Sequence, residues 1–367
     1  MKITQINSVY LIGDAITSLA LQGNRIFAGK GWSSSLVAEL FSDFWDAYQL
    51  AGRDYNDQNI LISMFYLFQR FININAKMLY IKKFMTARVA YKPMAAKQAI
   101  ENADIRIWHY GGYYPLFRYF HAKDILYFHG ITPPYLCSKS EYALKSKAAL
   151  QLILDMQPFI ITDSAFDASS IAALGFPRSS IHILPPFAQL FPMQLRHAAK
   201  PSLITYGRYA MNKGIPELAK LCHEASLPLT VFGDNNQLKE YKTEYAKARQ
   251  YAGAKVKILP KQKSIDGYMA QANIYISNSY HEGFGMPLIE AEAHSLPVLA
   301  RRGTAMDELV QEGVNGYLFS DIAEVPALAA KILKNYAAMS RAAWRHSQGY
   351  TMEKYKERYL KILQKKA

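Results

Sequence analysis

The chain has 367 residues, is 50% hydrophobic and carries a formal charge of +14. That length exceeds the roughly 250–300 residues at which one hydrophobic core stops growing, so two cores are expected. Two cysteines, Cys137 and Cys222, exclude a disulfide framework and favour a reducing compartment.

The opening stretch, MKITQINSVYLIGDAI, lacks the long apolar segment of a signal peptide. Short β-branched runs follow at 3–7, 25–28, 105–109, 125–129, 159–163 and 181–184, with helical stretches between them. A proline-bearing segment, LPPFAQLFP, occupies 184–192, and the rhythm then restarts at 202–206, 229–232, 255–259, 274–277, 298–300 and 317–319. Strands alternating with helices imply parallel α/β sheets. Two such series predict two Rossmann-like domains facing across a cleft, at 1–190 and 191–345. Residues 346–367 predict an amphipathic helix packed on the domains. Thr351 is placed to cap it, and Tyr355, Tyr359, Ile362 and Leu363 share its apolar face.

The charge is uneven. Residues 61–100 hold no acidic side chain but carry Arg70, Lys77, Lys82, Lys83, Arg88, Lys92 and Lys97 among many aromatics. This stretch is either a helical region with a solvated basic face or an interfacial segment on an anionic membrane surface. Nucleic acid is not expected, because no binding motif accompanies the charge. The apolar run at 60–68 falls short of the ~20 helical residues that span a bilayer. The expected location is cytoplasmic, with peripheral attachment to the inner face of the plasma membrane as its variant.

The densest chemistry lies at HEGFGMPLIEAEA, residues 281–293. Gly283 and Gly285 let backbone approach a ligand closely. Pro287 suits a first helical turn. The positive end of the following helix faces back to the loop, a ready anion site. Glu282 and Glu290 flank it, and carboxylates accept hydrogen bonds from sugar hydroxyls. A second element, GRYAMNKG at 207–214, places Arg208 and Lys213 at the carboxyl end of a strand, where open α/β sheets bind ligands. Both cations suit phosphate oxygens. No His, Cys and Asp set has metal-ligand spacing. His109, His121 and His281 are read as structural.

In order and spacing, GRxxxxKG, VFGDN, EGFGMPLIEAEA, LPVLA and DELVQEGVNGYLF resemble glycosyltransferase family 4, the retaining glycosyltransferases group 1 of GT-B fold. The resemblance covers roughly residues 200–320. It departs at Ser295, where the family often has glycine. More loosely, GDAIT resembles the family's glycine loop, with Gly13 as the matching position, and YFHGITPPYL resembles its strand-end histidine segment, with His129 matching. Glu308 matches an acidic position of the family and equally suits a helix N-terminus.

The resemblance implies a GT-B enzyme that moves a hexose from a nucleoside-diphosphate sugar to a hydroxyl of a glycan or lipid-linked acceptor, in cell-surface polysaccharide or glycolipid synthesis. It implies catalysis by Glu282, Arg208, Lys213 and His129, and donor binding by Gly13, Gly283, Phe284, Gly285, Met286 and Glu290. It implies no metal and no cofactor beyond the donor. A non-catalytic nucleotide-sugar-binding subunit and a GT-B epimerase are the alternatives.

Overall fold

The structure is a computed structural model that describes residues 1–10, 15–41, 59–62, 100–111, 120–136, 140–196, 199–235, 239–262 and 264–366. Gly13 and nearly all of the basic stretch at 61–100 lie outside the described residues, so the interfacial reading of that stretch is untouched by the fold. The chain forms two compact units. One comprises Met1–Ile131, Leu144–Thr162 and Ile171–His182; the other comprises Thr132–Ala143, Asp163–Ser170 and Ile183–Ala367.

The first unit holds a seven-stranded sheet of order β3-β2-β1-β4-β5-β6-β7. Its strands are β1 (Lys2–Tyr10), β2 (Ser33–Phe41), β3 (Asn59–Ile62), β4 (Ile105–Tyr110), β5 (Ile125–Phe128), β6 (Phe159–Thr162) and β7 (Ile181–Ile183). From β3 to β6 the pairing is parallel. Helix α1 (Ala15–Ala28) connects β1 to β2, and α2 (Ser140–Gln151) and α3 (Ala165–Ala172) follow later in the chain.

One sequence expectation fails here. Residues 25–28 are the last turn of α1, not a strand. Their apolar character belongs to a helical face on which Leu19, Ala20, Ile26 and Phe27 are buried. A four-residue apolar run cannot by itself distinguish strand from helix. The strand actually paired beside β1 is β2, whose serine-rich start and internal glutamate hide it. The core of this unit packs Ile6, Trp108, Tyr110, Leu126, Phe128 and Ile160 against Ala149, Leu150 and Ile171. Asp124 ties the sheet by accepting from Trp108 Nε1 (2.8 Å) and Arg106 Nε (2.7 Å).

The second unit holds a six-stranded parallel sheet of order β10-β9-β8-β11-β12-β13. Its strands are β8 (Leu203–Tyr206), β9 (Leu229–Gly233), β10 (Val256–Pro260), β11 (Ile274–Ser277), β12 (Val298–Arg301) and β13 (Gly316–Phe319). The helices are α4 (Ile215–Glu224), α5 (Lys239–Arg249), α6 (Asp266–Gln271), α7 (Met286–Ala293), α8 (Val325–Lys334), α9 (Tyr336–Ser347) and α10 (Met352–Lys366).

Both faces of this sheet are buried, which accounts for its continuous apolar strands. Leu203, Val231, Ile258, Ile274, Ile276 and Leu299 pack on α4 and α8. On the opposite face Ile204, Phe232, Tyr275, Val298 and Ala300 pack on α7. Helix α10 buries Tyr355, Tyr359, Ile362 and Leu363, as its spacing predicts, and Thr351 Oγ1 accepts the Lys354 N–H at 3.2 Å. Among the described residues, no helix is long and apolar enough to cross a membrane.

Candidate active site

In the second sheet the strand order reverses between β8 and β11. Ligands of open α/β sheets bind at such a reversal, beyond the carboxyl ends of the strands. The predicted residues of this unit gather there. After β8 come Gly207, Arg208 and a single 3-10 turn, Met211–Lys213. After β11 comes a loop that ends at Gly285, with φ of +100°, and opens α7. A Cβ at Gly285 would lie 2.9 Å from Met306 Cγ, so both the backbone angle and the space demand glycine.

The two loops are joined by polar contacts. Tyr280 N–H donates to Asn212 O (2.7 Å), Asn212 Nδ2 to His281 O (3.1 Å) and Asn278 Nδ2 to Gly214 O (2.7 Å). Arg301, at the end of β12, donates twice to Asn278 Oδ1, at 3.0 and 2.8 Å, and lies 4.6 Å over the Tyr280 ring. The loop that carries Glu282 is therefore held from both sides.

Lys213 Nζ and Glu282 Oε1 form an ion pair, and Ser279 Oγ donates to the same carboxylate oxygen at 2.9 Å. Burial alone would raise the Glu282 carboxyl. Lys213 first, then Ser279 and the charge of Arg208, outweigh it and hold Glu282 below the usual glutamate range. Arg208 also donates from Nη1 to Tyr241 Oη at 3.2 Å.

Glu290, on the first turns of α7, accepts from the Tyr206 hydroxyl at the end of β8. Burial raises the Glu290 carboxyl and the Tyr206 hydrogen bond only partly offsets it. Thr205, Tyr206, Lys213, Tyr275, Ser277, Ser279 and Glu282 line one small enclosed cavity between the two strand ends.

Glycines 283 and 285 flank Phe284, whose side chain is a core residue packed 5.6 Å from the Tyr350 ring. Met286 begins α7, half-buried against the same core.

The segment 163–170 meets this loop within the second unit. Ser164 Oγ donates to Gly283 O (2.6 Å) and accepts the Asp167 N–H (3.0 Å). Glu308 accepts the N–H groups of Ala165 (3.0 Å) and Phe166 (2.5 Å), so it caps the positive end of α3. Glu308 itself is the last residue of a 3-10 turn, Ala305–Glu308, so it does not start a helix of its own and serves the terminus of another. Asp167 is fully buried, and neither carboxyl oxygen has a partner among the described residues. Burial first, then the charges of Asp163, Glu308 and Glu282, push its pKa well up.

Ser295 has φ of +64°, the left-handed backbone that explains why glycine is usual there. Its Oγ accepts Gln194 N–H at 3.0 Å and its carbonyl accepts Ser340 Oγ at 2.7 Å, contacts that hold the strained turn.

His129 follows β5 in the first unit. Its backbone N–H donates to Tyr110 O (2.9 Å), and its ring stacks on Tyr127 at 4.3 Å. Sequence reasoning misses Tyr206, Tyr275, Ser279, Ser164 and Asp167. Tyr206 has a signal, since it ends the strand directly before Gly207. Ser279 and Tyr275 stand just before the Glu282 loop, Ser279 only three residues from Glu282, whereas Ser164 and Asp167 meet the site through contacts distant in sequence. Among the described residues, no group of three or more His, Cys, Asp or Glu side chains could hold a metal ion.

Residues 189–344 match the family described as Glycosyl transferases group 1. A probable sucrose-phosphate synthase from Thermosipho melanesiensis is 28% identical over 130 residues, covering 34% of this chain and 31% of the relative. A GDP-mannose-dependent alpha-mannosyltransferase from Corynebacterium glutamicum is 30% identical over 152 residues, 40% of this chain and 35% of the relative. The chain thus spans about a third of the length of these curated relatives. Solved structures match throughout. Sucrose-phosphate synthase from Thermosynechococcus elongatus superposes with a TM-score of 0.74 at 16% identity, covering 100% of this chain and 99% of the other. Anabaena HepE in complex with UDP gives 0.68 at 15%, covering 100% of both. The architecture is the GT-B fold.

Proposed function

We propose, from the match of residues 189–344 to the glycosyl transferases group 1, that this chain is a retaining glycosyltransferase. It moves a hexose from a nucleoside-diphosphate sugar to a sugar hydroxyl of a glycan or lipid-linked acceptor, in cell-surface polysaccharide or glycolipid synthesis. The observation that carries the reading is the meeting of Lys213, Arg208, Glu282 and Glu290 at the strand reversal between β8 and β11. The UDP bound by the structurally similar HepE supports a nucleoside-diphosphate donor.

The chemistry follows from where charge develops. As the anomeric C–O bond breaks, its electron pair passes to the leaving diphosphate oxygen. Lys213, Arg208 and the backbone N–H groups after Glu282 stabilise that charge as it forms. No metal is needed for that step in this reading. Lys213 is held in place beforehand by Glu282, so little reorganisation accompanies the reaction. The remaining acceptor capacity of Glu282 serves hydroxyls of the transferred sugar, and Glu290 serves the ribose, exchanging the Tyr206 hydroxyl for a ribose one. For His129, in the first unit, the resemblance of YFHGITPPYL supports a part in sugar recognition. The acceptor oxygen bonds the anomeric carbon on the face the diphosphate leaves, and its proton goes to the departing phosphate.

Incubating the purified chain with UDP-, GDP- and ADP-sugars, with and without glycan acceptors, tests the reading. Acceptor-dependent release of nucleoside diphosphate supports transfer. Binding without turnover indicates a scaffold, and sugar interconversion without release indicates an epimerase. Peripheral membrane attachment through residues 61–100 is a separate part of the proposal. Sedimentation with anionic liposomes that weakens as salt rises supports it, and binding indifferent to lipid charge rejects it.

A further inference from the structure

A buried polar chain in the first unit begins at a backbone oxygen and ends at His129. Gln5, fully buried on β1, donates from Nε2 to the Ala20 carbonyl (2.6 Å) and to Asn24 Oδ1 (2.7 Å). A carbonyl oxygen can only accept, so reversing the Gln5 amide would set two oxygens against each other. Reversing Asn24, whose own Nδ2 has no partner among the described residues, would set its amino group against that of Gln5. The Gln5 Oε1 atom therefore faces His109 Nε2, at 2.9 Å.

That contact assigns a hydrogen to His109 Nε2. His109 is 0% exposed. Burial first, then the neighbouring His129, hold its pKa well below the usual histidine value, so it carries one ring hydrogen and no more. Its Nδ1 is consequently an acceptor, and the atom 3.0 Å away, His129 Nε2, has to donate. Space for the Gln5 amide is secured by Gly23, where a Cβ would lie 2.7 Å from Gln5 Oε1.

We propose that Gln5 and His109 are positioning residues that fix the tautomer of His129, through a one-way run of hydrogen bonds anchored on the Ala20 carbonyl. Neutral His129 carries its hydrogen on Nε2 and its lone pair on Nδ1, the state that accepts a hydrogen bond from a sugar hydroxyl. The tautomer follows from the chain alone; its consequence for turnover rests on the role given to His129 above.

Nitrogen-15 spectra of the full-length chain read the tautomer directly, with His129 assigned by comparison with His129→Gln. The expected wild-type spectrum shows a protonated Nε2 and an unprotonated Nδ1. In Gln5→Met both tautomers of His129 are expected, with kcat lowered about tenfold, the worth of one hydrogen bond, and donor KM unchanged. His109→Phe, which keeps a ring and removes both nitrogens, is expected to do the same and serves if Gln5→Met does not fold. A wild-type His129 bearing its hydrogen on Nδ1, or an unchanged spectrum in both variants, overturns the assignment. If the spectra come out as expected while no donor is turned over, the glycosyltransfer reading fails and the tautomer assignment stands.

Discussion

The two sheets share one strand order over six strands, β7 being extra in the first, and reverse at equivalent places, between β1 and β4 in the first unit and between β8 and β11 in the second. What the chain sets at the two reversals differs. At β8 and β11 it sets charge: a lysine paired with a half-buried glutamate, an arginine beside them and a second glutamate on a tyrosine. At β1 and β4 it sets an amide and an imidazole, Gln5 and His109, in line with His129 at the end of β5. Topology says where a ligand goes, and side chains say what happens to it. A paired charge preorganises an electrostatic field but depends on pH and on its partner. A run of hydrogen bonds, by contrast, can fix the address of a proton.

Removing a charge at the second reversal should do the most damage. Lys213→Ala leaves the Glu282 carboxylate without its main counter-ion. Turnover is expected to fall roughly 10²–10³-fold, as when a preorganised charge-stabilising group is lost. Stability should fall by about 3 kcal/mol, because a largely buried charge is left unpaired. Steady-state kinetics and denaturant melts check both. Glu282→Gln keeps the shape and removes the charge, so it should lose turnover with less loss of stability. A double-mutant cycle with no coupling between the two positions would mark the pair as incidental. Next in size is Glu290→Gln, expected to weaken donor binding about tenfold by calorimetry while leaving the melting temperature nearly unchanged.

Much of the charged reversal is legible in the sequence. Strand 274–277, its glycine loop, Pro287 and both glutamates stand in one continuous stretch, and local chemistry dictates their arrangement. The reversal at β1 and β4 is not legible there. Gln5 and His109 lie 104 residues apart and meet only because β1 and β4 are neighbours. His109 by itself reads as a satisfied core histidine, which it is, and its second contact is what connects it to His129. The misplaced strand at 25–28 has the same origin: its apolar residues suit either element, and only packing of α1 on the sheet decides. Tyr206, 84 residues from Glu290, belongs with these long-range contacts.

Acidity offers a finer probe of where protons are held. Behind the charged reversal, Glu292 on α7 is fully buried, accepts from Asn315 Nδ2 (2.7 Å) and pairs with His346 Nδ1 on α9 (2.6 Å). Burial pushes the Glu292 carboxyl up to about 7, against a contrary pull from His346. The hydrogen bond and charge of Glu292 outweigh burial at His346 and raise it as well. Both shifts mean that the folded state holds a proton the unfolded chain releases sooner. Stability from this pair is complete at acid pH and is lost as pH rises through about 7. Melting temperature should therefore fall as pH rises from about 4.5 to about 7, the interval between the ordinary glutamate value and the raised one, and Glu292→Gln should flatten that slope. Glu282 works in the opposite sense: its lowered pKa contributes stability above the unfolded glutamate value, lost as pH falls through the folded one. The smallest effect belongs to a site remote from both reversals. Thr351→Ala removes the cap of α10 and should cost about 1 kcal/mol in denaturant melts, with turnover unaltered.

The central claim is that the charged reversal is a nucleoside-diphosphate sugar site. Thermal shift with a panel of UDP-, GDP- and ADP-sugars, run on the wild type and on Lys213→Ala, tests it most directly. One donor class should raise the wild-type melting temperature by several degrees through mass action and leave Lys213→Ala unmoved. A panel that moves neither protein, or moves both equally, contradicts it.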